Sequence, residues 1–165
     1  MNYFQLFNIP ESLNVDKALL KKRFYQLSKQ YHPDFFVNDD NASQTAALEK
    51  SAMLNKAFKT LNDSDLLLFY FLTEKGIITE GEKHSLSNAF LMEVMDLNEQ
   101  LMEANDAEGK QAVISTIEQL KSSIYEPVET YLEATEANNF TEKALLQLKE
   151  YYYQKKYLDK ILAEL

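Results

Sequence analysis

The sequence predicts an all-α protein, built as a helical hairpin with short accompanying helices followed by a C-terminal three-helix bundle. Three observations predict it. The 165 residues include only 3 Gly and 3 Pro, far fewer turn residues than a sandwich or barrel needs. Apolar residues recur at three- and four-residue spacing through each long segment. The connections in the C-terminal half are short and polar, which implies antiparallel neighbours.

The first strong helix opens at Asp16, a good cap residue, and runs to about Tyr31, before Pro33 stops it. Leu20, Phe24, Leu27 and Tyr31 share its core face. A polar loop of about ten residues follows, long enough to call for a functional explanation. The second helix spans about 42–61, with Leu48, Ala52, Asn55, Phe58 and Leu61 on one side. Asn62-Asp63-Ser64 breaks the chain, and Leu66 to Leu72 reads as a short helix ending before Gly76. Three longer helices follow. The first covers about 89–104, with Phe90, Val94, Leu97 and Leu101 in one stripe. The second covers about 110–134, with Val113, Ile117, Leu120, Ile124, Val128 and Tyr131, kinked at Pro127. The third covers about 141–165, with Leu145, Leu148, Tyr152, Leu158 and Leu162 inward. The organisation is therefore an N-terminal domain at 1–75, a linker at 76–88 and a C-terminal bundle at 89–165.

Composition removes whole classes of chemistry. With no Cys there are no disulfides, thiolate metal sites or Cys nucleophiles, and two His, His32 and His84, do not suffice for a His-built metal centre. No nucleophile–base pair or phosphate loop is visible, so neither an enzyme nor a cofactor is expected. A net charge of −9 argues against nucleic acid as a partner. The start MNYFQLFNIP lacks the features of a signal peptide, and the longest apolar run is too short to span a membrane. A cytoplasmic protein without a membrane partner is the expectation. The charge is uneven: residues 1–83 carry 10 basic against 11 acidic side chains, residues 84–165 carry 7 against 15. Two such halves suggest two different partners.

Three features are candidates for function. The first is His32-Pro33-Asp34, where proline after a helix stop would hold an exposed polar pair rigidly. The second is the basic side of the preceding helix, Lys17, Lys21, Lys22, Arg23 and Lys29, with no acidic residue between Lys17 and Lys29 to neutralise it; its use would be steering toward an acidic partner. His84 is expected to be merely solvated. The third is the helix at 89–104. Its core stripe occupies about 60° of arc, whereas Leu91, Met95 and Met102 lie roughly 100° away, with Met92 and Glu99 beyond. Such a wide arc suits either a helix with two neighbours or an exposed binding surface, for which adaptable methionines are well fitted. Four tyrosines within residues 151–157 imply that at least one is exposed.

The context of the tripeptide carries a resemblance. A basic helix ending in Gln30-Tyr31-His32-Pro33-Asp34, then a loop, then Leu54-Asn55-Lys56-Ala57-Phe58-Lys59-Thr60-Leu61, resembles a J domain, the activator of DnaK-like chaperone ATPases. The opening Tyr3-Phe4-Gln5-Leu6-Phe7, then Pro10 and Arg23-Phe24, together with Ala89-Phe90-Leu91-Met92-Glu93 and Leu97, Glu99 and Leu101, is similar to the HscB family of iron–sulfur co-chaperones. Three departures stand out. Phe35 occupies a position where the family often has Lys, residues 65–72 are unusually apolar, and the last helix is Tyr-rich.

The resemblance implies two partners, an HscA/DnaK-like chaperone ATPase and an IscU-like scaffold protein. It assigns His32, Pro33, Asp34, Lys21, Lys22, Arg23 and Lys29 to the chaperone. It assigns Leu91, Met92, Met95, Asp96, Glu99, Glu103 and Tyr151 to the client. Other readings are a J-domain protein with a different client, or a helical adaptor in which the tripeptide is incidental.

Overall fold

A computed structural model describes all residues from Met1 to Leu165. The secondary structure is helical throughout, with no strand. The chain divides into two compact units, residues 1–71 with 133–139, and residues 72–132 with 140–165. Residues 76–88, read from the sequence as a linker, belong to the second unit, where Ile78 is buried.

In the first unit, α1 (Tyr3–Leu6) starts in a capping box between Asn2 and Gln5 and buries Phe4. Helix α2 (Lys17–Gln30) begins where Asp16 accepts the Ala18 and Leu19 N–H groups, and Tyr31 closes it. A 3-10 turn at Pro33–Phe36 leads to α3 (Asn41–Asn62), capped by Asp40. Helices α2 and α3 pack as the hairpin. Phe4, Phe7, Leu20, Leu54, Ala57, Leu61 and Leu67 form the core, with Phe24, Leu27 and Tyr31 partly buried against it. Each large side chain removed from water in this way contributes about 1.5–3 kcal/mol. Tyr3 stacks flat on Tyr70 at 4.3 Å and donates its backbone N–H to that hydroxyl. The excursion 133–139 closes the unit: Ala137 N–H donates to the Glu11 carbonyl, and Ser12 Oγ to that of Ala134, both at 2.8 Å.

The buried face of α3 differs from the sequence reading. Ala47, Leu54, Ala57 and Leu61 are buried, while Leu48, Ala52 and Asn55 are exposed. Leu54 and Leu61 lie seven residues apart and set the face. Ala47 falls on it and Leu48 lies about 100° around the helix.

Helix α4 (Ser64–Glu74) contains the division between units and stops before Gly76, whose φ of 72° suits a residue without Cβ. In the second unit, α5 (Asn88–Glu103), α6 (Ala107–Tyr125) and α8 (Glu142–Glu164) enclose Phe90, Val94, Leu97, Val113, Ile117, Leu158 and Ile161. Helix α6 packs against both α5 and α8. Its expected kink appears as a 3-10 turn at Glu126–Val128, followed by α7 (Glu129–Glu133), because Pro127 has no N–H to continue the ladder. The inward face of α8 is Ala144, Leu148, Tyr151, Leu158 and Ile161. The predicted Leu145, Tyr152 and Leu162 lie one position off it and are only partly buried. None of the four tyrosines 151, 152, 153 and 157 is fully exposed; they lie against the second unit instead of projecting from it.

Candidate functional site

The tripeptide is held by its own backbone. His32 adopts the extended conformation (φ −63°, ψ 131°) required of a residue before proline, and Pro33 opens the 3-10 turn. Phe35 N–H donates to the His32 carbonyl at 3.0 Å. The Asp34 N–H donates to His32 Nδ1 at 3.2 Å, which in the neutral ring leaves the proton on Nε2. The Asp34 carboxylate stands 3.6 Å from Nδ1, and the two side chains are 54% and 84% exposed. One donor and one acceptor are thus displayed to solvent on a fixed turn.

The rest of the loop is pinned from α3. Gln44 Nε2 donates to the carbonyls of Val37 (3.1 Å) and Asp39 (2.9 Å), and Asp40 accepts the Ser43 N–H at 2.7 Å. Hydrogen bonds from the Ser43 side chain and backbone hold the Asp40 carboxyl below its ordinary range.

On α2, Lys17, Lys21, Lys22 and Lys29 are exposed, with the Lys21 ammonium 5.8 Å from the centre of the Tyr25 ring. Arg23 departs from the predicted stripe: it is partly buried, and its Nε is sealed from solvent without a partner. Arg23 lies three residues after Leu20 and four before Leu27, so it shares the core face.

On α5 the two arcs separate as their spacing predicts. Phe90, Val94 and Leu97 are buried, whereas Leu91, Met92, Met95 and Met102 are exposed, Met95 at 63%. Asp96, Glu99 and Glu103 are exposed beside them. Tyr151 does not join this surface. It is 9% exposed, meets Tyr125 edge-on, and lines a cleft bordered by Ala89 and Glu93 rather than by Leu91 or Met95. Its position on the inward face of α8, between Leu148 and Leu158, accounts for this.

His84 is also more engaged than the sequence indicated. Its Nε2 lies 2.6 Å from Glu150 Oε2, and its ring stacks on Tyr153 at 4.4 Å. Glu150 Oε1 accepts from Ser87 N–H and Gln154, Tyr153 donates its hydroxyl to Glu82, and Lys149 donates to the Ile77 carbonyl. These contacts tie residues 77–87 to one face of α8. Burial raises the Glu150 carboxyl, but the Ser87, His84 and Gln154 hydrogen bonds outweigh it and its pKa falls below 4.5. Burial, reinforced by Glu82, pushes the Tyr153 hydroxyl up to about 12. No group of three or more His, Asp or Glu side chains is placed to hold a metal ion, and no helix is long and apolar enough to cross a membrane.

Comparison with known proteins bears on both units. Residues 2–69 match the family described as DnaJ domain, and residues 86–165 match that described as HSCB C-terminal oligomerisation domain. Co-chaperone protein HscB of Buchnera aphidicola subsp. Acyrthosiphon pisum, in strains Tuc7 and 5A, is 38% identical over 128 residues, 76% of this chain and 74% of the relative. The chain belongs to the HscB family of J-domain co-chaperones. Solved HscB structures agree. The human co-chaperone superposes with a TM-score of 0.78 at 27% identity, covering 99% of this chain and 80% of that one. Chaperone HscB from Vibrio cholerae gives 0.64 at 25% identity, with 99% of each chain covered. In this HscB-family chain the tripeptide can exchange hydrogen bonds with a partner without undergoing chemistry. The α5 face can take an apolar surface with a basic rim.

Proposed function

We propose that this chain stimulates the ATPase of an HscA/DnaK-like chaperone and delivers to it an IscU-like iron–sulfur scaffold protein. The observation that carries the reading is the exposed, backbone-fixed His32-Pro33-Asp34 turn in a member of the HscB family. His32 and Asp34 would dock on the ATPase and favour its hydrolysis-competent state, which requires only that they bind that state better than the other. Lys21, Lys22 and Lys29 would steer the encounter, with Arg23 contributing less because it is partly buried. Leu91, Met92 and Met95, rimmed by Asp96, Glu99 and Glu103, would hold the scaffold. Tyr151, being buried, has no direct part in this contact. The bond-breaking chemistry stays in the chaperone, and coupling follows from carrying both surfaces on one chain.

The test is the steady-state ATPase rate of the chaperone with this protein added, in the presence and absence of the scaffold. The expected result is stimulation by the protein alone and a further rise with the scaffold. Stimulation that never responds to the scaffold would favour a different client. Absence of stimulation would remove the J-domain role.

A further inference from the structure

Immediately after the tripeptide the chain displays two large apolar side chains that the hydrogen-bonding role of His32 and Asp34 leaves unexplained. Phe35 is 65% exposed and Val37 64%, whereas Phe36 between them is partly buried. An isolated exposed apolar residue needs no explanation, but this pair stands on the same turn as the proposed chaperone contact. The Phe35 ring meets His32 edge-on, 6.3 Å between centres at 80°. Its backbone is fixed by the bond to His32, and that of Val37 by Gln44. The ordering cost of presenting both side chains is therefore largely met before binding. The flank is not basic: Asp34 precedes Phe35 in the chain, and Asp39 and Asp40 follow in the loop.

We propose that Phe35, with Val37 beside it, anchors the chaperone contact, entering an apolar pocket on the ATPase next to the groups that receive His32 and Asp34. The inference rests on the chaperone reading above and adds the chemistry of the receiving surface. An aromatic anchor on a fixed turn contributes affinity, while the polar pair contributes the activating contact. Phe35 acts on how much protein is needed, and His32 on how far the ATPase responds.

The experiment titrates wild type, F35K, F35L and H32Q into the cognate DnaK-like ATPase. It reads the half-maximal concentration and the plateau rate separately, at low salt and at about 0.3 M, where charge steering is strongly screened. F35K should raise the half-maximal concentration about tenfold with the plateau kept, and the deficit should persist at high salt. F35L should stay within about threefold of wild type, because an apolar side chain still enters the pocket. An unchanged half-maximal concentration for F35K overturns the proposal, as does F35L failing as badly as F35K. A lowered plateau at unchanged half-maximal concentration also overturns it, since Phe35 would then only orient His32. Sedimentation of wild type and F35K covers the remaining occupant: a dimer that F35K dissolves assigns the patch to a second copy and overturns the chaperone contact. A wild type that never stimulates fails the functional reading itself, distinct from a Phe35-specific failure.

Discussion

The loop after α2 and the outer face of α5, the two surfaces proposed to meet partners, are both exposed but are made differently. In the loop, three consecutive residues, His32-Pro33-Asp34, carry the polar information, and backbone constraints set the geometry: proline, a His32–Asp34 hydrogen bond, and Gln44 bracing the far side. On α5 the information lies in rotation about a helix axis, which turns Phe90 and Val94 inward and Leu91 and Met95 outward. The loop's exposed groups include a polar pair in one orientation, whereas the α5 face offers flexible methionines with an acidic rim. Rigid polar display suits a contact that must meet one geometry. Adaptable apolar area suits a client held by complementarity.

H32Q tests the loop on its own. It should abolish ATPase stimulation while thermal stability and scaffold binding stay at wild-type levels, because the ring is exposed and lies outside the core of its unit. Normal stimulation by a folded variant would strip the loop of its role.

Next in size is the contrast within α5. Phe90→Ala should cost on the order of 3–5 kcal/mol through the cavity it leaves. Leu91→Ala and Met95→Ala should each stay within about 0.5 kcal/mol, as exposed truncations do. Urea unfolding of the three variants checks both expectations.

Salt should separate the two surfaces by a smaller factor. Association with the chaperone, steered by the α2 lysines, should slow several-fold between low salt and about 0.15 M, whereas scaffold binding through α5 should change much less. Stopped-flow association rates across a salt series read this directly, and equal sensitivity at both surfaces would remove the steering role.

The smallest effect concerns Glu150. Its folded pKa lies below the ordinary 4.5, so its contacts with Ser87, His84 and Gln154 stabilise the protein above that pH and are lost as pH falls through the lowered value. E150Q should flatten the acid limb of the stability curve below about pH 4.5 and leave the chaperone contact untouched. An acid limb identical to wild type would mean that the ionisation of Glu150 is not linked to folding.

Local signals were readable from the sequence where one residue decides the outcome. Asp16 and Pro33 bracket α2, Pro127 interrupts the long helical pattern after α6, and spacing divides α5 into two arcs while leaving open whether the second meets another helix or solvent. Register was less legible. In α3 and α8 neighbouring apolar residues compete for the inward position, and only the packed partner decides that Ala47 and Tyr151 are buried rather than Leu48 and Tyr152. Arg23 could have been placed by its spacing from Leu20 and Leu27, had its charge not suggested the surface. The His84–Glu150 contact joins residues 66 positions apart, and the 133–139 excursion meets Glu11 and Ser12 from more than a hundred positions away. Neither leaves a local trace.

Two separable surfaces on one chain must lose their effects independently. Chaperone ATPase rates are measured with wild type, H32Q and the Leu91→Ala/Met95→Ala double variant, each with and without scaffold. H32Q should give no stimulation under either condition, while the double variant should keep basal stimulation and lose the increment due to scaffold. If the α5 variant loses basal stimulation as completely as H32Q does while remaining folded, the two surfaces are one and not separable.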